Sequence, residues 1–103
     1  GRPFIGLNGG PQFPHSEAIS FQIPCNDQNE IDKYWDLLLA DGGQESQCGW
    51  LKDKFGVSWQ VTSPKMNDWL GGSDAAGAER ATKAMLGMRK INLAAMEAAY
   101  LAK

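Results

Sequence analysis

Histidine occurs once in the 103 residues, at His15, and cysteine twice, at Cys25 and Cys48. A single histidine excludes a multi-histidine metal centre built by one chain. Two cysteines this far apart form neither a disulfide scaffold nor a zinc knuckle, and in a reducing cytosol they stay as thiols. A basic surplus is also missing. Ten Lys and Arg stand against twelve Asp and Glu, a net charge of -2, so sequence-independent phosphate binding has no electrostatic source and nucleic acid is not an expected partner. No apolar run approaches the roughly 20 residues of a membrane span, and Gly1-Arg2-Pro3-Phe4 lacks the regions of a secretory signal. No membrane partner is expected, and the expected location is cytoplasmic. What remains, 43% apolar and 21% charged residues, is the composition of one globular domain with a single core.

Hydrophobic periodicity divides that domain. Phe4-Ile5-Gly6-Leu7-Asn8 is a short apolar run stopped by Gly9-Gly10-Pro11, which reads as an opening strand. Ala18 to Ile23 alternates strictly, with Ile19, Phe21 and Ile23 on one face and Ala18, Ser20 and Gln22 on the other; Pro24 ends it. Asp27 and Glu30 have the spacing of a capping box, and behind them Ile31, Tyr34, Trp35, Leu38 and Leu39 share one helical stripe. A helix is expected from about Gln28 to Ala40, stopped by Gly42-Gly43, with Trp35 and Leu38 packed against Phe21 and Trp59. Two strands follow, Gln47 to Lys52 and Val57 to Thr62, joined by a turn at Asp53-Lys54-Phe55-Gly56, with a further strand at Glu45 as an option. Ser63-Pro64-Lys65 breaks the pattern, and Gly71-Gly72-Ser73 is a joint before an Ala-rich helical tail. One tail helix begins at Asp74 and runs to about Met88; a second is capped by Asn92 and carries Leu93, Met96 and Tyr100.

The two best strands each pair an apolar face with a face of small, uncharged polar groups: Ser20 and Gln22 on one, Ser58 and Gln60 on the other. Water-facing strands more often carry Lys, Glu or Thr, so this choice points to a lined, partly enclosed surface; a neutral solvent-facing sheet is the alternative. Trp50 and Lys52 share the corresponding parity on the intervening strand and would add an aromatic wall and a cation. Packing is the commoner fate of a strand tryptophan. Cys48 has the same parity but no neighbouring base, which favours an inert thiol. Cys25 precedes the helix, where the N-terminal dipole could favour a thiolate, and His15 reads as a solitary exposed imidazole. Asn8-Gly9-Gly10-Pro11 lacks the Gly-x-Gly-x-x-Gly spacing and opens no helix, so no cofactor held through pyrophosphate is expected. Asp27, Glu30, Asp32 and Asp36 read as a cap and the solvated side of the helix rather than acid–base machinery.

The runs Phe4 to Pro11, Ile19 to Cys25, and Cys48-Gly49-Trp50-Leu51-Lys52-Asp53-Lys54-Phe55-Gly56-Val57-Ser58-Trp59-Gln60-Val61 resemble the PhnB-like family. That family belongs to the glyoxalase, bleomycin-resistance and extradiol-dioxygenase superfamily, the vicinal oxygen chelate proteins, and its members often carry the label 3-demethylubiquinone-9 3-methyltransferase. No S-adenosylmethionine site is read in this sequence. The resemblance implies an α+β fold of paired βαβββ modules curled into a cup. Residues 17–64 would be one βαβββ module, residues 1–10 would hold the last strand of a missing first module, and residues 65–103 a C-terminal helical extension. The chain would then be a fragment or a shortened member. Metal-using members of the superfamily place a histidine and a glutamate where Ala18 and Gln60 fall here, and Asn8 stands near the matching place of the first module. None of the three is a good ligand.

The leading expectation is therefore a cup that binds a small polar molecule with no metal or other cofactor, walled by Ser20, Gln22, Trp50, Ser58 and Gln60, with a homodimer completing it. No catalytic residue or reaction is assigned. Two alternatives are a metal-dependent lyase or dioxygenase with ligands from a partner chain, and a non-catalytic dimerisation module that uses the Met-rich tail.

Overall fold

The computed structural model describes residues 1–102 of the chain. Its elements run β1 (Ser20–Pro24), α1 (Gln28–Leu39), β2 (Gln44–Glu45), β3 (Trp50–Lys52), β4 (Ser58–Thr62), α2 (Met66–Leu70), α3 (Ala75–Leu86) and α4 (Leu93–Leu101). The strands form one open sheet in the order β1-β4-β3-β2, with β1 parallel to β4 and the other pairings antiparallel. The fold is mixed α+β, and its first five elements follow the succession of a glyoxalase-like βαβββ module.

Alternation explains the sheet. Ile23, Val61 and Leu51 turn to one side, where Ile31 and Trp35 of α1 are buried with them and Tyr34, Leu38 and Leu39 pack half-buried around the cluster. Trp35 and Leu38 thus take the places expected of them. Phe21 does not: α1 lies over β3 and β4, and Phe21 on the edge strand keeps 47% of its surface exposed. Its ring meets Trp59 in a tilted pair at 5.3 Å.

The helix begins as its cap residue requires, the Asp27 carboxylate accepting from the Glu30 N–H at 2.9 Å. The reciprocal bond of a capping box is not formed, because Glu30 accepts from the Asn26 side chain at 3.0 Å instead. The stop is at Gly42-Gly43, where the Gly43 N–H closes on the Leu39 carbonyl at 2.9 Å. A Cβ on Gly43 would fall 2.6 Å from the Leu39 Cα.

Four expectations are corrected. Phe4–Asn8 forms no strand; residues 1–19 carry neither helix nor strand, since an extended segment with no neighbour has nowhere to place its backbone bonds. Ala18 and Ile19 stand before β1 in a turn and a bend, where the Ala18 N–H donates to the Ser16 hydroxyl at 3.3 Å. Cys48 and Gly49 are not strand residues, because both take left-handed φ, 58° and 84°. That kink brings Gly49 against Ile91, where a Cβ would meet the Ile91 side chain at 3.0 Å. Finally, the break at Ser63-Pro64-Lys65 is followed by a short helix, α2, which adds buried Met66 and half-buried Trp69 and Leu70 to the core.

The tail completes the core of its own chain. Ile91 and Met96 are fully buried, Leu93 nearly so, and Met85 and Met88 pack half-buried beside them. The Cys48 and Gly49 N–H groups donate to the Met88 and Arg89 carbonyls, each at 2.8 Å. Gln28 at the start of α1 holds the other side: its Nε2 donates to the Ile91 carbonyl at 2.9 Å, and its Oε1 accepts from the Leu93 N–H at 2.8 Å. Arg80 of α3 donates to the last carbonyls of α4, at Ala99 (2.9 Å) and Tyr100 (2.8 Å), supplying the cation that a helix C-terminus favours.

Replacing Gln28 by alanine leaves two backbone groups without their partner, at about 1–3 kcal/mol for each that stays buried. Gln28→Ala is expected to lose roughly 2 kcal/mol or more in denaturant unfolding and to speed hydrogen exchange at the Leu93 amide. Unchanged exchange at Leu93 would show that the tail is held by its apolar contacts alone.

Candidate functional site

The face of the sheet turned away from α1 is built in two rows by strand register. Gln22 of β1, Gln60 of β4 and Trp50 of β3 stand side by side, and next to them Ser20, Ser58 and Lys52. The five side chains expected to wall a pocket therefore share one surface, together with the expected cation. The rows are wired internally: Gln60 Nε2 donates to the Ser20 hydroxyl at 2.8 Å, and Gln22 Nε2 donates to Gln60 Oε1 at 3.3 Å. These bonds fix the orientation of the Gln60 amide.

Burial is uneven. Gln22 is exposed, Ser20, Trp50, Lys52 and Gln60 are half-buried, and Ser58 is only 1% exposed. The Ser58 Oγ has no hydrogen-bond partner among the described residues. With no base at hydrogen-bond distance among the described residues, the Ser58 hydroxyl is not activated as a nucleophile. Two clefts meet at it. One, of about 220 Å³, is lined by Glu17, Gln44, Glu45, Trp50, Lys52 and Ser58 among others; the other, of about 380 Å³, by Pro14, His15, Ile19, Phe21, Val57 and Ser58 among others.

Glu17 was not among the residues expected here. Its carboxylate pairs with Lys52 over the polar face, and the hydrogen bond from Lys52 holds the Glu17 carboxyl below the usual carboxylate range. No periodic signal marks it, because it precedes β1 in a turn.

The hairpin that presents Lys52 and Ser58 is clamped by Asp53. One carboxylate oxygen accepts from the Phe55 and Val57 N–H groups at 2.9 and 3.0 Å, the other from the Trp59 indole at 2.9 Å. Burial pushes the Asp53 carboxyl up, but these three donors outweigh it, aided by the charge of His15, and its pKa lies below normal. The clamp therefore adds stability above the unfolded carboxylate pKa and loses it as pH falls through the depressed value.

The two cysteines differ in setting. Cys25 is fully buried, and desolvation together with the Glu30 and Asp27 carboxylates pushes its thiol up, against the thiolate that a helix start could favour. Cys48 sits in the left-handed turn, half-buried, outside the polar rows. Among the described residues no three His, Cys, Asp or Glu side chains gather as a metal site. Ala18 offers no donor, and the Gln60 amide is already engaged by Ser20 and Gln22, so these two positions do not supply a ligand set for a divalent ion.

Residues 1–62 match the sequence profile of the family described as 3-demethylubiquinone-9 3-methyltransferase. The chain belongs to that family. A search of curated proteins returns no significant match. In this member of the 3-demethylubiquinone-9 3-methyltransferase family, the matched stretch contains β1 to β4 and hence both polar rows. Among the described residues no helix is long and apolar enough to cross a membrane.

A buried hydroxyl without a partner is a net cost, so removing it should not harm the fold. Ser58→Ala is expected to leave stability unchanged or raise it by up to about 1 kcal/mol in thermal and denaturant unfolding. A loss beyond that range would show that the hydroxyl has a structural partner.

Proposed function

We propose that this chain is a PhnB-like member of the glyoxalase superfamily whose polar sheet face binds a small polar molecule without a metal. The observation that carries the reading is the pair of rows, Gln22-Gln60-Trp50 and Ser20-Ser58-Lys52, which set amide, hydroxyl and ammonium groups beside one aromatic plane. Amides and hydroxyls orient a polar ligand, and the indole covers its flat or apolar part. The family match supports this placement. The methyl transfer in the family's name finds no matching cradle at the first strand-to-helix turn. Pro24-Cys25-Asn26-Asp27 has no glycine for close backbone approach and sets a carboxylate at the helix start. The two free thiols fit a cytoplasmic location.

The cup is completed by a second βαβββ unit, supplied by another copy of the chain across the β1 edge. Supporting this are the open edge of β1 and the apolar groups around it, Ile19 at 73% exposure and Phe21. Soluble proteins cover such edges. Phe4, Ile5 and Leu7 of the non-strand segment before β1 are exposed as well.

Binding is tested by recording amide and side-chain NMR spectra against a library of small polar fragments. Shifts are expected to gather on Ser20, Gln22, Trp50, Ser58 and Gln60; shifts confined to the α3–α4 surface would overturn the reading. Assembly is tested by sedimentation at micromolar concentration, where a dimer is expected whose β1 amides are protected from exchange. A stable monomer would remove the second copy from the site.

A further inference from the structure

Lys52 is the only charged side chain in the two rows, and it is already answered by a carboxylate of its own chain. Glu17 reaches it from the turn before β1, with 61% of its side chain exposed. Immediately beside the pair, the Ser58 hydroxyl is buried and has no partner among the described residues. The remaining carboxylate on this cleft, Glu45, is engaged elsewhere, accepting from the Trp35 indole at 3.2 Å and facing Arg89 at 3.5 Å. The cleft thus holds one cation with an exchangeable counter-ion and one hydroxyl whose bonding is incomplete.

The geometry points to a ligand bearing an anionic oxygen group, a carboxylate or a phosphate, which takes Lys52 by displacing Glu17 and accepts a hydrogen bond from Ser58. This rests on the reading of the polar face as the binding site and names the chemical class that the site selects. Glu17 is a built-in stand-in for the ligand's anion. An ion pair this exposed contributes little and is easily opened. Exchanging one carboxylate for another on Lys52 is nearly neutral in Coulomb energy, so the Ser58 bond, which Glu17 does not make, decides the exchange in favour of the ligand. Trp50 lies in the neighbouring row, so a flat group attached to the anion is covered at the same time. The turn at Ser16–Ala18 then swings off the face when the site fills.

The test uses three matched probes on the full chain: benzoate, phenyl phosphate and the neutral benzamide, followed by NMR at the Lys52, Ser58 and Trp50 side chains. Both anions are expected to bind roughly tenfold more tightly than benzamide, which corresponds to about 1.4 kcal/mol. Glu17→Gln is expected to raise anion affinity about fivefold and Lys52→Gln to abolish the preference, with benzamide indifferent to both changes. The stronger of benzoate and phenyl phosphate identifies the anion. Should benzamide bind the polar rows as well as the anions do, or Glu17→Gln leave anion affinity unchanged, the anion inference falls while binding at the polar face stands. Should none of the probes move a polar-face resonance at millimolar concentration in any variant, both fall. Dispersed spectra of each variant establish that it is folded.

Discussion

A slip of one residue between β1 and β4 would carry Ser20 and Gln22 to the helix side of the sheet and leave Ile23 over water. The parallel register that prevents this, Ser20 beside Ser58 and Ile23 beside Val61, is the constraint on which the site depends. It is held from the apolar side, because Ile23 and Val61 join the cluster closed by Ile31 and Trp35. Burial on one face thus dictates chemistry on the other. The Gln60 amide bonded to Ser20 and Gln22 then fixes the polar rows without any contribution from the core.

The same cluster ties the tail to the sheet. A four-stranded sheet with one helix on one face is too small to bury a full core, and Ile91, Leu93 and Met96 supply the missing volume. They are kept in place by Gln28, whose amide bonds two backbone groups more than sixty residues away in sequence. Gly49 permits the approach, since a Cβ there would fall 2.9 Å from the Val61 carbonyl oxygen and 3.0 Å from the Ile91 side chain. The left-handed turn at Cys48 and Gly49 therefore connects two requirements, the start of β3 with Trp50 on the polar face and the docking of the tail on the apolar side.

The two faces differ in how fully they are satisfied. On the apolar side the large side chains of the cluster are buried or half-buried and the indole of Trp35 bonds Glu45. On the polar side a buried hydroxyl lacks a partner among the described residues, and a lysine is held by an exposed carboxylate. At the β1 edge Phe21 and Ile19 stay in contact with water. Structural demands account for the first surface, and the second departs from them as the proposed binding face would.

Alternation and helical period were enough, from the sequence by itself, to place β1, α1, β3, β4 and the two long tail helices, and to put Ser20, Gln22, Trp50, Ser58 and Gln60 on one face. Those signals are local and repeat along the chain, so each residue's face follows from its neighbours. Tertiary structure alone decided whatever depends on residues far apart. Phe4–Asn8 has a strand's composition, but a strand exists only with a partner, and this segment has none here. Cys25 stands at a helix start, yet burial and two nearby carboxylates set the direction of its pKa. The docking of the Met-rich tail on the core of its own chain rests on Gln28 and Gly49, which lie far from it in sequence. Glu17 meets Lys52 across 35 positions with no periodic relation between them. A contact between two such isolated charges leaves no trace in hydrophobic pattern, because only the folding of the turn over the sheet brings them together.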